Sequence, residues 1–183
     1  RDRNDCLKSS LRMRPDRIIV GEVRGPEAAT LLTAMNTGHD GSFGSLHANT
    51  AQETVTRMIN PPMSVPPIML TGLDLIIIQA RLHVNGKTAR KITEVAEIAG
   101  MEGSKPRLNT IWKYNASTDQ IEETGIPSNL REVICRAAGV TPDVFEKHVN
   151  QRQQIIEDLI ARDITDIQSV TTVIQNFYAQ SHH

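Results

Sequence analysis

The sequence predicts an α/β fold in which a short parallel sheet is followed by β-hairpins and then by a helical appendage. Three observations indicate this order. Short apolar segments alternate with amphipathic helical patterns in residues 4–72, strand-like segments separated by turn signals occupy residues 73–123, and helical periodicity begins at Pro127. We therefore predict two domains, residues 1–126 and residues 127–180.

The first predicted elements are a helix and a buried strand. Apolar residues recur within residues 4–13, which favours a short helix, and Pro15 ends it because the residue before a proline disfavours helical geometry. Ile18–Val20 is a short apolar run, typical of a strand that is covered on both faces. This strand is the first of the predicted sheet.

A second helix and a second strand follow. Pro26 suits the first turn of a helix, and the apolar residues of Ala28–Met35 recur at the spacing of one buried helical face. Ser42–His47 is predicted as the second strand, and Asn49 or Thr50 caps the next helix. Strands that alternate with helices in this way indicate a parallel sheet with crossover helices.

The middle of the chain predicts two hairpins. Leu73–His83 and Lys91–Ile98 have the pattern of paired strands, and the Asn85-Gly86 dipeptide between them is a strong turn signal. Leu108–Tyr114 and Gln120–Glu123 are predicted as a second pair. These hairpins separate the parallel sheet from the helical appendage.

The appendage has the pattern of at least two helices. Thr141 followed by Pro142 is a helix start, since threonine caps well and proline suits the first helical position. The apolar faces of the two helices are predicted to comprise Phe145, Val149, Ile156, Leu159, Ile167, Val170, Ile174 and Phe177.

Composition narrows the functional classes. The net charge of −1 gives no electrostatic case for binding nucleic acid, and 3% aromatic residues disfavour stacking on single strands. Cys6 and Cys135 are not spaced like the ligands of a metal site, and two cysteines fit a reduced cytosolic setting.

No run of 18 apolar residues occurs in the sequence, so we expect no direct membrane insertion. Because residue 1 is arginine, we expect the chain to begin inside a longer protein. His182 and His183 are either native residues or the remnant of a purification tag.

Glu22 is the first candidate functional residue. It comes directly after Ile18–Gly21, and ligands of open α/β sheets bind beyond the carboxyl ends of the strands. A carboxylate there can orient an attacking water or hold the water shell of Mg²⁺. Gly21 leaves room for a phosphate or a metal ion to approach the backbone. The alternative is an ordinary strand that ends in a solvated glutamate.

Two histidines flank the second predicted strand. His39 precedes it and His47 ends it, and His47 would lie near Glu22 if the two strands are neighbours. An imidazole donor can stabilise charge on a terminal phosphate. A hydrogen-bonded surface histidine and a metal site are the alternatives, although the spacing suggests no third metal ligand.

The segments MRPDRIIVGEVRGPEA (13–28) and TGHDGSFGSLHANTAQETVTRM (37–58) resemble the Walker B segment and the histidine box of the secretion ATPase superfamily. These hexameric motors serve type II and type IV secretion, type IV pili and the archaeal flagellum. The resemblance covers residues 7–100 strongly and the helical tail weakly. The eight-residue step from His39 to His47 resembles the type IV secretion and tight-adherence branch, and PPMSVPP is similar to archaeal members. The implied fold is the distal half of a RecA-like P-loop NTPase core.

The resemblance also implies roles for individual residues. Glu22 would be the Walker B glutamate, acting as catalytic base or as an indirect ligand in the Mg²⁺ shell, and His39 and His47 would lie near the γ-phosphate of ATP. Gly21 and Arg24 would support the nucleotide site, with a salt bridge that holds the loop as the alternative role of Arg24.

The sequence lacks the phosphate-binding motif G-x-x-x-x-G-K-[ST], and Gly100–Pro106 does not replace it because the glycine spacing is wrong. We therefore expect this chain alone to be inactive, whereas the resemblance implies that the full-length protein binds ATP and Mg²⁺.

The resemblance further implies a homo-hexameric ring, a cytoplasmic position at the inner face of the membrane, and an inner-membrane platform protein as partner. Arg57 is interpreted as a helix-surface or subunit-contact residue rather than a catalytic finger.

Two other functions compete with the motor. The helical tail from Pro127 would suit a non-catalytic module that docks on ring subunits or on a membrane platform. A metal-dependent hydrolase built on His39, His47 and Glu22 is the third hypothesis.

Overall fold

The computed structural model describes residues 2–84 and 86–181. Asn85 of the predicted turn lies outside the described residues, as do Arg1, His182 and His183. The chain divides into two compact units, and the division falls between Leu130 and Arg131, a few residues after the predicted domain boundary.

The first unit begins with a helix and a parallel pair of strands. Helix α1 (Arg3–Leu11) is capped by Asp2, whose Oδ1 accepts from the backbone N–H of Asp5 at 2.7 Å. Strand β1 (Ile19–Val20) pairs in parallel with β2 (Phe43–Gly44). This confirms the predicted strand pair, with β2 shorter than expected.

Helix α2 (Glu27–Asn36) connects β1 to β2. It buries Ala28, Leu31 and Leu32 of the predicted face in the core, and Met35 is half-buried. Gly44 makes the close approach possible. A Cβ atom at Gly44 would lie 2.9 Å from Leu31 Cδ2 and 3.1 Å from Val23 Cγ2, so a larger residue would force these core side chains to shift.

Helix α3 (Ala51–Ile59) follows β2 and is capped by Thr50, whose Oγ1 accepts from the N–H of Glu53 at 3.0 Å. Val55 and Met58 face the core. A 3-10 helix (Pro67–Gly72) then leads into the second sheet.

The second sheet is a four-stranded antiparallel meander in which β4 (Lys87–Glu102) pairs with β3 (Leu75–Val84) on one side and β5 (Lys105–Asn115) on the other. Strand β6 (Gln120–Glu123) pairs with the far edge of β5. The two predicted hairpins therefore form one sheet. Strands β4 and β5 are longer than the apolar pattern indicated, whereas β6 has the predicted bounds.

One core unites the helices and both sheets of the first unit. Its buried residues include Leu7, Ile18, Val23, Ala28, Leu31, Leu32, Ala34, Ala51, Val55, Met58, Met63, Val65, Leu70, Ile76, Ile78 and Ala96. The core lies on one face of β3 only, since the exposure of successive β3 residues alternates.

The second unit is helical. Helix α4 (Asn129–Ala138) begins before the division, and α5 (Pro142–Ala161) and α6 (Ile167–Ser181) follow. Thr141 caps α5 as predicted. The predicted α/β class with β-hairpins and a helical appendage is thus confirmed. No helix in the described part of the chain is both long and apolar enough to cross a membrane.

Candidate functional site

The site forms where the chain leaves the two parallel strands. Beyond β1 and β2 the segments stay together, because Ser45 N–H donates to the Val20 carbonyl at 3.2 Å and Val23 N–H donates to the Ser45 carbonyl at 2.7 Å. Glu22 lies between these two hydrogen bonds, and His47 lies two residues past Ser45. The Nε2 atom of His47 is 3.1 Å from Glu22 Oε1. The expected approach of His47 to Glu22 is therefore observed.

Arg24 is the second partner of the Glu22 carboxylate. Its Nε atom contacts the same oxygen, Oε1, as His47 does. The hydrogen bond from Arg24 lowers the pKa of Glu22, and the positive charges of Arg24, His47 and Arg3 add to this effect, which partial burial opposes. Glu22 is therefore an ionised carboxylate at neutral pH. Its side chain is 23% exposed, whereas those of Arg24 and His47 are 64% and 85% exposed.

Glu27 shapes the turn that carries these groups, and sequence reasoning did not identify it. Its Oε1 accepts from the backbone N–H groups of Arg24 at 2.9 Å and Gly25 at 3.2 Å, and the residue is only 5% exposed. Burial raises the pKa of Glu27, but these N–H donors, the N–H of Glu27 itself and the charge of Arg3 together lower it overall. The available sequence signal was an acidic residue in the first turn of a helix that follows a proline.

Gly21 and Ser45 complete the turn. The Ser45 hydroxyl donates to the Gly21 carbonyl at 2.6 Å. A Cβ atom at Gly21 would meet no atom within 4 Å, so the backbone here faces open space. The predicted approach of a phosphate or a metal ion to Gly21 stays a prediction.

A cleft of about 530 Å³ lies beside this turn, between α1 and β1. It is lined by Asp2, Arg3, Cys6, Leu7, Ser10, Ile18, Ile19, Val20, Gly21, Glu22 and Glu27. Arg3 donates to the Glu22 carbonyl at 3.4 Å from within it. The cleft gives Glu22 an approach from the α1 side of the sheet.

The structure does not bring His39 to this pair. His39 precedes β2, and its carbonyl accepts from the hydroxyl of Ser42, whose Oγ in turn accepts from the N–H of Ile18. His39 thus lies at the amino ends of the strands, whereas Glu22 and His47 lie at the carboxyl ends. Its Nδ1 atom is buried without a hydrogen-bond partner among the described residues. Its predicted place near a γ-phosphate stays a prediction.

No group of three or more histidine, cysteine, aspartate or glutamate side chains suited to a metal ion occurs within residues 2–84 and 86–181. Because His39 stands apart from Glu22 and His47, these three residues do not form the metal centre of the hydrolase hypothesis. What remains is an ionised carboxylate beside an exposed imidazole. Such a pair can orient a water molecule and donate to an anion, which suits phosphate chemistry.

Arg57 is held within its own helix. Its Nε atom donates to Glu53 Oε1 at 2.8 Å, and Glu53 Oε2 accepts from the backbone N–H of Asn49 at 2.8 Å. These contacts fit the helix-surface interpretation of Arg57. Its role as a subunit contact stays a prediction.

The chain is similar to a known protein family and to several known proteins. The sequence profile of the family described as type II/IV secretion system protein matches residues 2–175. An uncharacterized protein of Methanocaldococcus jannaschii is 32% identical over 181 residues, which cover 95% of this chain and 32% of that protein. The type IV pilus assembly ATPase PilB of Pseudomonas aeruginosa is 44% identical over 80 residues, which cover 43% of this chain and 14% of PilB.

Among solved structures, the VirB11 ATPase from the Brucella suis type IV secretion system is similar at a TM-score of 0.42 and 31% identity, over 51% of this chain and 32% of VirB11. The chain spans between 19% and 57% of the length of the first curated relatives. The archaeal relative fits the archaeal likeness of the PPMSVPP segment.

Proposed function

The chain belongs to the type II/IV secretion system protein family, and we propose that it is the carboxyl-terminal part of a motor subunit that hydrolyses ATP to drive pilus assembly or protein export. The observation that carries the proposal is the Glu22–His47 pair at the carboxyl ends of two parallel strands. In this proposal the first unit is the distal half of a RecA-like core, and Glu22 and His47 form one wall of its nucleotide site.

Glu22 orients the attacking water. An ionised carboxylate accepts a hydrogen bond from water and turns a lone pair of the water oxygen toward the γ-phosphorus. The lowered pKa of Glu22 keeps this acceptor deprotonated at neutral pH. Arg24 and His47 both contact Oε1, so they hold the carboxylate in one orientation.

His47 responds to the γ-phosphate. Its exposed imidazole can leave Glu22 and donate to an oxygen of the γ-phosphate. This acceptor is present in ATP and absent from ADP. The choice between these two acceptors makes the position of His47 dependent on the nucleotide. A difference of this kind can bias a subunit between two arrangements, which is how hydrolysis becomes motion.

The residues present suit ATP and Mg²⁺ in part. The Glu22 carboxylate can hold water molecules of a Mg²⁺ shell, and Gly21 leaves space beside it. Mg²⁺ supplies charge neutralisation on the phosphates when it is bound. The motif G-x-x-x-x-G-K-[ST] does not occur in the sequence, so we propose that another part of the full-length protein supplies the phosphate-binding loop.

The wider assembly follows from the same proposal. We expect a homo-hexameric ring that is cytoplasmic and peripheral to the inner face of the cell membrane, working on an inner-membrane platform protein. Gly21 and Arg24 support the nucleotide site, and His39 retains its predicted place in the histidine box as a hypothesis to be tested by mutation.

Exposed apolar residues of the second unit favour an additional function, in which this unit docks on another protein. Among the apolar residues of this unit that the structure describes, Cys135 and Leu159 are buried, whereas Ile156, Ile160 and Ile167 are 57%, 73% and 74% exposed. Exposed apolar surface of this kind is typical of a protein contact. This interaction role is compatible with the motor and is the alternative function if the chain takes no part in hydrolysis.

A nucleotide titration tests the proposal. ATP affinity and turnover are measured for this chain and for a version extended at its amino terminus to include the phosphate-binding loop. We expect binding and turnover in the extended protein only, and loss of turnover on Glu22→Gln. If the extended protein hydrolyses ATP equally well with Glu22→Gln, the Glu22–His47 pair is not the hydrolytic site.

A further inference from the structure

We propose that Glu94 is a positioning residue that holds the backbone on the carboxyl side of His47 and so sets the place of its imidazole beside Glu22. The inference rests on the proposed function for the role of His47. The contact that supports the inference joins Glu94 on β4 of the four-stranded sheet to Ala51 at the start of α3. The sequence next to His47 does not predict this contact.

Packing does not hold His47. Its side chain is 85% exposed, and the described contact of its ring is the one with Glu22 at 3.1 Å. An exposed side chain with one polar contact takes its position from the backbone that carries it. The anchors of that backbone on either side of His47 therefore decide whether the imidazole reaches Glu22.

The anchor on the amino side is the parallel sheet. Ser45 donates to Val20 and accepts from Val23, which fixes the backbone two residues before His47. Leu46 packs against the core at the next position. This side of His47 is thus tied to the same strand that carries Glu22.

The anchor on the carboxyl side is the start of α3. Thr50 and Glu53 cap this helix through the N–H groups of Glu53 and Asn49, but both belong to the helix segment and move with it. Glu94 comes from a different element. Its Oε2 accepts from the backbone N–H of Ala51 at 2.9 Å, one of the amino-terminal N–H groups that have no partner within a helix.

The Glu94 carboxylate is itself fixed. Thr110 on β5 donates to its Oε1 at 3.0 Å, and β4 is paired with a strand on each side. A carboxylate at a helix amino terminus is also favoured by the helix dipole. The four-stranded sheet therefore fixes the start of α3 through Glu94. Because only a short segment separates His47 from Ala51, this contact also restricts the position of the imidazole.

Nuclear magnetic resonance of this chain tests the proposal without nucleotide. Amide exchange of Ala51 and the ring signal of His47 are recorded for Glu94→Ala, and Glu22→Ala shows where the His47 signal lies once its partner is gone. We expect Glu94→Ala to speed Ala51 exchange by about tenfold to a hundredfold, the effect of one hydrogen bond to a charged group, and to move the His47 signal toward its position in Glu22→Ala.

Two further variants serve as a rescue and as a control. Glu94→Gln keeps an acceptor for the Ala51 N–H, so it should restore both readouts. Glu122→Ala removes a carboxylate of the same sheet whose partners are Thr118 and Asn115, and it should change neither readout. The ring signals of His83 and His148 serve as internal references.

One outcome overturns the proposal directly. If Ala51 exchange rises in Glu94→Ala while the His47 signal stays in place, Glu94 caps α3 and does not position His47. That result leaves the proposed ATPase function intact, since it involves no nucleotide. If Glu94→Ala does not fold, Thr110→Val is measured instead, and an unmoved His47 signal in that variant rejects the proposal equally.

Discussion

His47 Nε2 and Arg24 Nε meet on one oxygen of Glu22, with the imidazole at 3.1 Å. Both side chains therefore contact the same carboxylate oxygen at the same time. Removal of either donor leaves the other in place, whereas removal of the carboxylate releases both. This relationship ranks the expected effects of mutation: changes at Glu22 should be larger than changes at either donor.

We expect this chain alone to show no ATP turnover above background. Its sequence contains no phosphate-binding loop, and the backbone donors and lysine of that loop supply the main contacts to the β- and γ-phosphates. A magnesium-ATP assay that follows the protein through purification checks this. Activity that co-purifies with the chain and disappears in Glu22→Gln would contradict the expectation.

In the full-length protein, Glu22→Gln should bind ATP and fail to hydrolyse it. The amide keeps the size of the side chain but is a poor base, while the phosphate contacts lie elsewhere. Binding is measured by titration with ATP and hydrolysis by phosphate release. Turnover at the parental rate would mean that Glu22 is a structural strand end.

His47→Ala in the full-length protein should spare ADP affinity and lower hydrolysis by about a hundredfold, the usual effect of removing one preorganised donor. His83→Ala is the matched control, because His83 is an exposed histidine on β3. ADP affinity, melting temperature and turnover are measured on one preparation. A lower melting temperature with full activity of the folded fraction would assign His47 a packing role only.

Glu27→Ala should lower the free energy of unfolding by about 1–3 kcal/mol, because the backbone N–H groups of Arg24 and Gly25 lose a buried acceptor. Glu27→Gln keeps an acceptor oxygen and should cost less. Glu132→Ala removes an exposed acidic residue from the first turn of α4 and serves as the control. Chemical denaturation gives the three values, and equal losses in all three variants would argue against the proposed role of the turn.

Acid should destabilise the chain as the pH falls below about 4.5. The pKa values of Glu22, Glu27 and Glu53 are lowered from 4.5 in the folded protein, so the unfolded chain binds more protons in this range. The stabilisation is complete above the unfolded pKa and is lost as the pH falls through the folded values. Denaturation midpoints between about pH 6 and about pH 3 check this, and Glu27→Gln should show a shallower decline.

Much of the site was predictable because its signals are local. The apolar run before Glu22, the proline before α2 and the cap of α3 each act within a few residues. The first two are found where the sequence placed them, and the cap is Thr50, one of the two predicted residues. The approach of His47 to Glu22 followed from one further rule, that consecutive strands tend to be neighbours. The family resemblance was carried by the same segments.

By itself, then, the sequence predicted the order of helices and strands and the α/β class, and it predicted that His47 lies near Glu22 if their strands are neighbours. Only the tertiary structure decided that Ser42 ties the His39 backbone to Ile18, that Glu27 shapes the Arg24 turn, and that Glu94 reaches the start of α3. Periodicity and capping arise between residues a few positions apart, so a sequence displays them directly. The contact between Glu94 and Ala51 joins remote segments, and it exists only once two sheets and a helix have packed around one core.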